Sequence, residues 1–227
     1  MYEQNQTISG DPFGVPFNSL PKELPVFPLP GAMLLPYGRM PLNIFEPRYL
    51  KMIMDSLKQS RLIGMVQPSE QLSDPISEET ALFHVGCAGR ITAFAESDDG
   101  RFLITLKGIC RFKIRKELEG NGFYRRVIPD FSRFKEDLSC DTPNINREGL
   151  LPILKKYLEL KGIKVDIADF VNIEDRFLIP TLSLINPFGI REKQAILETR
   201  DISEMANMII SLMEMELMSP NNASTKH

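Results

Sequence analysis

Histidine is almost missing from this sequence: among 227 residues only His84 and the terminal His227 occur. Cysteine is scarce too, with Cys87, Cys110 and Cys140 far apart and no CxxC pair. A zinc site needs a close set of thiolate, imidazole or carboxylate ligands, and this inventory does not supply one. An odd, dispersed set of thiols also argues against a disulfide framework, so Cys87 and Cys110 read as strand residues in a core. No apolar run approaches the roughly 20 residues that span a bilayer. Met1 to Gly10 has neither the basic start nor the apolar stretch of a secretory signal. A cytoplasmic location without membrane association is the expectation.

The familiar catalytic signatures are missing as well. No glycine-rich phosphate loop ends in Lys and Ser or Thr, and the Rossmann glycine fingerprint, G-x-S-x-G and H-E-x-x-H do not occur. A Ser-His-Asp or Cys-His site would have to use His84. That residue lies in the alternating segment Phe83-His84-Val85, where a solvent-facing or hydrogen-bonded strand position is the simpler reading. The acidic pairs Asp98-Asp99 and Glu78-Glu79 fall in turns and read as solvated charges. The sequence therefore predicts no catalytic residue, no metal site and no cofactor.

What is present is an ordinary globular composition, 43% hydrophobic and 25% charged, long enough to bury a core in one large or two small domains. The net charge of −3 gives no general attraction to nucleic acid. Charge is uneven, however: Arg101 to Lys135 holds ten basic and three acidic residues, a local +7.

Residues 1–20, rich in Pro, Gly, Asn and Ser, read as a flexible arm. Residues 21–135 read as β-rich. Leu24 to Leu29 looks like an edge strand, because proline is tolerated mainly there. Strands follow at Met40 to Phe45 and Leu62 to Val66, with a helix opening at Glu46-Pro47-Arg48 and an apolar face at Leu50, Ile53, Met54 and Leu57. Leu82 to Ala95 and Arg101 to Leu106 are joined by the hairpin signal Ser97-Asp98-Asp99-Gly100. Gly108 marks a bulge, and strands continue to Pro129. Residues 136–218 switch to helical spacing: one run ends at Gly162, another is interrupted at Pro180, and a last helix starts at Asp201. Residues 219–227 read as a disordered tail. The whole is an α+β chain, a β-barrel with one helix followed by a helical bundle.

Several segments together resemble the N-terminal, substrate-recognising domain of Lon-type proteases. They are Leu24 to Leu29, Met33 to Pro36, Leu42 to Tyr49, the glycine-centred Val85 to Ile91, Leu103 to Arg115, and the stretch from Lys193 to Asp201. Met205 stands where the pattern carries Arg. The resemblance implies a PUA-like barrel and a helical bundle. It also implies a non-catalytic module that binds unfolded or partner polypeptides, a separate protease among them, since no ATPase or peptidase motif accompanies it. PUA-like folds also bind RNA, so the basic strands between 101 and 135 support a second reading.

The candidate polypeptide-binding residues are Met33, Leu34, Leu35, Tyr37, Met213 and Met215. Met33-Leu34-Leu35, set between Gly31 and Gly38, either presents apolar side chains at a loop or plugs one end of the barrel. Met213, Met215 and Met218 are expected near the surface of the last helix, while Met205 and Met208 pack inward; methionine suits adaptable apolar contacts. Phe45, Glu46, Arg48 and Tyr49 match the family motif and read as structural, with Glu46 favoured at a helix start by the dipole.

Overall fold

A computed structural model describes residues 15–69, 80–119, 123–139 and 145–218. Most of the arm and all of the tail lie outside the described residues, as does the turn at residues 120–122. The chain divides between residues 140 and 141 into two compact units.

The first unit holds strands β1 (Leu24–Pro28), β2 (Arg39–Ile44), β3 (Leu62–Val66), β4 (Val85–Glu96), β5 (Phe102–Leu118) and β6 (Arg126–Asp130). Helix α1 (Pro47–Leu57) separates β2 from β3, and a 3₁₀ segment (Ser132–Leu138) follows β6. The strands form one mixed sheet in the order β2-β5-β4-β3-β1-β6. β6 also pairs with β5, so β1, β3, β4, β5 and β6 close into a ring and β2 is added outside it. The 17-residue β5 makes this possible: its first part pairs with β2 and β4, its last part with β6.

β1 is not the edge strand that its prolines suggest. Leu24 and Pro25 pair with β6, then Val26 to Pro28 pair with β3. The strand passes from one neighbour to the other along its length, so neither proline needs a donor on both sides. Phe112 is fully buried, and its ring lies against the backbones of Gly64 and Gly86. A Cβ at those positions would meet its Cζ at 2.8 and 3.0 Å.

α1 turns a different face inward from the one its leucines indicate. Tyr49, Met52, Ile53 and Ser56 are buried, while Met54 is 47% exposed. Tyr49 packs against Phe27 with ring centroids 4.2 Å apart and planes tilted by 48°, and the Ser56 hydroxyl donates to the Met52 carbonyl. A serine whose hydroxyl is satisfied by its own helix can face the core, which rotates the buried stripe by one residue.

A buried ion pair ties the 3₁₀ segment to β5. The Arg111 guanidinium donates to Asp137 through Nε and Nη2, at 3.0 and 2.7 Å, and the Arg111 backbone N–H donates to the same carboxylate. The two side chains are 1% and 4% exposed, and Arg111 also lies 4.5 Å from the Phe134 ring centroid. A boundary drawn at 135/136 on composition would cut Asp137 away from its partner.

The second unit is helical: α2 (Arg147–Lys161), α3 (Ala168–Val171), α4 (Asp175–Ile185), α5 (Ile190–Glu198) and α6 (Ile202–Met218). Asn146 caps α2 by accepting from the Gly149 N–H, and Gly162 ends it in the left-handed conformation expected of a helix stop. α6 packs mainly on α2 and touches α4 and α5. Asp201 caps α6 by accepting from the Glu204 N–H, but Glu204 reaches back to Arg200 rather than to Asp201, so only half of a capping box forms.

Pro180 does not interrupt its helix. α4 runs through it, and the break falls earlier, between Val171 and Asp175. Pro180 removes one main-chain donor just past the first turn of α4, and the neighbouring Thr181 and Ser183 hydroxyls donate to the Phe177 and Ile179 carbonyls.

Arg147 binds the turn at that break. Its Nε donates to Asp175 at 2.6 Å, Nη1 donates to the Val171 carbonyl at 2.8 Å, and Nη2 donates to the Ile173 carbonyl. Arg147→Ala is expected to destabilise the helical unit by roughly 1–3 kcal/mol, because three acceptors lose a charged donor together. Urea unfolding followed by far-ultraviolet circular dichroism checks this; a midpoint equal to that of the parent chain would show that the turn needs no clamp.

Candidate polypeptide-binding surface

β2, β5 and the outer half of β4 form a three-stranded extension whose two faces differ. Directly opposed residues share a face. Asn43, Leu103 and Ala95 form one row, and Pro41, Thr105 and Ala93 the next. Five of these six are exposed and Thr105 is half-buried. The alternate rows carry Ile44 and Phe102, then Leu42 and Ile104, with Ile44, Phe102 and Ile104 buried. Leu103 is 47% exposed, and Phe45, one residue beyond β2, is 62% exposed with the Arg101 guanidinium 5.8 Å from its ring centroid.

An antiparallel sheet with one wetted face normally alternates apolar and polar residues. Here the wetted face carries Leu103, Ala93, Ala95, Pro41 and Phe45. Only Phe45 among these stood out as a motif residue. The signal for the rest was present in the sequence: Phe102-Leu103-Ile104 and Ala93-Phe94-Ala95 are unbroken apolar runs on strands that are not buried on both sides.

The other candidate residues are scattered. Met33, Leu34 and Leu35 are 3%, 1% and 2% exposed, which corrects the picture of an apolar loop held out to solvent. Leu34 packs toward Gly89, and the Leu35 carbonyl lies against Gly108. Tyr37 is half-buried in the left-handed region with φ 64°, an uncommon conformation for a residue with a Cβ. It occupies the third position of a turn closed by Gly38 N–H to Leu35 carbonyl, where a positive φ is required. Its hydroxyl donates to the Ser139 carbonyl at 2.9 Å and its N–H donates to the Gly108 carbonyl.

In α6, Met213 is fully buried, not near the surface as expected, while Met215 and Met218 are 69% and 82% exposed. The reason is helical spacing: Met205, Ile209 and Met213 stand four apart and share one stripe. The motif around α1 splits. Tyr49 is buried, Glu46 and Arg48 pair with each other at 2.8 Å, and Phe45 faces outward.

The basic segment does not form one free face. Arg111 is buried against Asp137, Lys107 is buried, Arg101 pairs with Asp99, Arg125 with Glu117 and Arg126 with Glu23. Lys113, Arg115, Lys116, Arg133 and Lys135 remain exposed.

Reactive groups are equally sparse. Burial, reinforced by the Asp137 charge, pushes the Cys87 and Cys110 thiols well above the ordinary range, the opposite of an activated nucleophile. His84 is exposed. Among the described residues no three His, Cys, Asp or Glu side chains gather as a metal site, and no helix is long and apolar enough to cross a membrane.

The fold thus defines an α+β chain with a mixed, ring-closed sheet in one unit and a helical second unit. Its residues 23–215 match the family model described as the ATP-dependent protease La (LON) substrate-binding domain, and the chain belongs to that family. Relatives include a Lon protease of Buchnera aphidicola subsp. Baizongia pistaciae, 25% identical over 202 residues that cover 86% of this chain and 25% of the relative. Another, from Flavobacterium johnsoniae, is 27% identical over 209 residues, 87% of this chain and 24% of the relative. The chain therefore spans about a quarter of the length of these relatives. A crystal structure of a Lon N-terminal domain protein from Xanthomonas campestris has the same fold, with a TM-score of 0.58 at 19% identity, covering 87% of this chain and 99% of that one. The N-terminal domain of a Mycobacterium avium complex Lon protease gives 0.55 at 17% identity, covering 85% and 98%.

Proposed function

We propose that this chain is a non-catalytic polypeptide-binding module, acting in the cytoplasm, that takes hold of unfolded or partner polypeptides through apolar surface. A separate protease is among the partners this reading admits. The closed sheet is read as the PUA-like barrel of such a module. The observation that carries the reading is the wetted sheet face of Phe45, Leu103, Pro41, Ala93 and Ala95, apolar where an unbound surface favours polar residues. Tyr37 and Met215 are secondary contact candidates. The RNA reading has less behind it, because half of the basic residues between 101 and 135 are buried or paired within the chain.

Phe45→Ser combined with Leu103→Ser tests the surface. Both side chains are largely exposed, so thermal stability should change little. Affinity for a permanently unfolded protein, reduced and carboxymethylated α-lactalbumin, should fall by roughly tenfold or more, the loss of about 1.5–3 kcal/mol per apolar anchor offset by incomplete burial. Equal affinity for the variant and the parent chain would remove this face from the account.

A further inference from the structure

Among the described residues, one edge of β4 is left unpaired beyond its contact with β3. β3 pairs with β4 only at Cys87 to Arg90, and the last link on that side is the Ile91 N–H to the Arg61 carbonyl. Beyond it, among the described residues, no strand flanks Thr92 to Glu96 on the side away from β5. Thr92 is the extra residue of a bulge. After it the ladder phase is set by the Ser97 N–H donating to the Arg101 carbonyl. Pairs two residues apart share that phase, so Ala95 and Ala93 exchange bonds with Leu103 and Thr105. The N–H and C=O of Phe94 and Glu96 then point out of the sheet, and residues 93–96 are all exposed.

The opposite margin of the same extension is guarded. Leu103 and Thr105 spend their main-chain groups on β4, so on β2 their partners Asn43 and Pro41 face outward. Pro41 has no N–H to offer there, a common way to blunt an edge. The β4 edge carries no proline and no lysine, and its ends have opposite charge. Arg61 and Arg90 stand at one end, Glu96 and Asp98 at the other, and none of the four has an ion-pair partner among the described residues. Natural edges are normally protected, and among the described residues this extension is protected on one margin only.

We propose that Thr92–Glu96 of β4 accepts one extended polypeptide strand, an unfolded segment of about five residues that completes the sheet. Charge complementarity fixes its character: uncharged and β-branched in the middle, with a cationic end beside Glu96 and Asp98 and an anionic end beside Arg61 and Arg90. Main-chain bonds to Phe94 and Glu96 hold it, and its alternate side chains lie level with Ala93, Ala95 and Leu103. This rests on the polypeptide-binding reading above and adds the place and geometry of contact.

The test uses the full chain and a labelled peptide, Lys-Val-Thr-Val-Thr-Val-Glu, followed by amide hydrogen exchange and fluorescence anisotropy. Exchange at the Phe94 and Glu96 amides should slow on binding. The same peptide N-methylated at one amide that faces β4 should bind roughly tenfold more weakly, the effect of about one main-chain hydrogen bond left unmade. Phe94→Pro should weaken binding by a similar factor relative to Phe94→Ala. The two variants lose the same ring and differ in the outward N–H, which makes no bond inside the sheet. Unchanged exchange at Phe94 and Glu96, or equal affinity for the methylated peptide, overturns the proposal even if Phe94→Pro fails to fold. If carboxymethylated α-lactalbumin still binds in that case, polypeptide binding stands and only the edge is wrong. If no polypeptide binds, both fall.

Discussion

Gly108→Ala should cost the β-rich unit about 3 kcal/mol or more, enough to unfold it or leave it loosely packed. A Cβ on Gly108 would lie 1.9 Å from the Leu35 carbonyl oxygen and 2.7 Å from its carbon. Neither atom can swing aside as a side chain can. The Leu35 segment is pinned from both directions, since Leu34 and Leu35 are core and Gly108 exchanges main-chain bonds with its neighbours. The Tyr37 N–H donates to the Gly108 carbonyl, and the Gly108 N–H donates to the Gly38 carbonyl. Gly89→Ala provides the graded comparison. Its Cβ would meet Leu34 Cδ2 at 2.6 Å, the far end of a side chain that can adjust, so its cost should be smaller. Urea unfolding of the two variants beside the parent chain measures the difference. A Gly108→Ala midpoint equal to or above that of Gly89→Ala would contradict the close approach.

The second large effect concerns Asp137. Asp137→Ala should destabilise the β-rich unit by roughly 3–5 kcal/mol, because it leaves the Arg111 guanidinium, 1% exposed, without its carboxylate. Arg111→Met combined with Asp137→Leu should recover most of that loss, since two apolar groups of similar volume leave no buried charge. The double variant separates two roles that the single one confounds. If it is as unstable as Asp137→Ala, the acceptor for the Arg111 backbone N–H and the contact of Arg111 with Phe134 carry stability beyond mutual neutralisation.

The local signals were legible where one short-range rule decides the outcome. Asp99-Gly100 turns the β4–β5 hairpin, Gly162 stops α2, and Gly108 sits beside the point where β5 slips register against β4. They fail where pairing, a satisfied hydroxyl or helix phase overrides the residue-type rule. Pro25 marks an edge only for a strand with one neighbour throughout, and β1 changes neighbours midway. Ser56 looks like a surface residue until its hydroxyl finds the Met52 carbonyl. Met213 shares its residue type with the exposed Met215, but its spacing from Met205 and Ile209 places it inward. The candidate site was the least legible part. The apolar run around Leu103 signals a strand, and only the pairing with Asn43 and Ala95 shows which face Leu103 takes. The buried pairing of Arg111 with Asp137, 26 residues apart, also turned an apparent basic stripe into part of the core.

The most direct measurement is a titration of the full chain with carboxymethylated α-lactalbumin and, separately, with a single-stranded RNA, each at low and high salt. Apolar contact should survive added salt, whereas phosphate contacts weaken steeply as counterions are no longer released at a gain. The account predicts saturable binding of the unfolded protein that persists in high salt and no comparable binding of RNA. Tight RNA binding that is lost with salt, with no affinity for the unfolded protein, would contradict it.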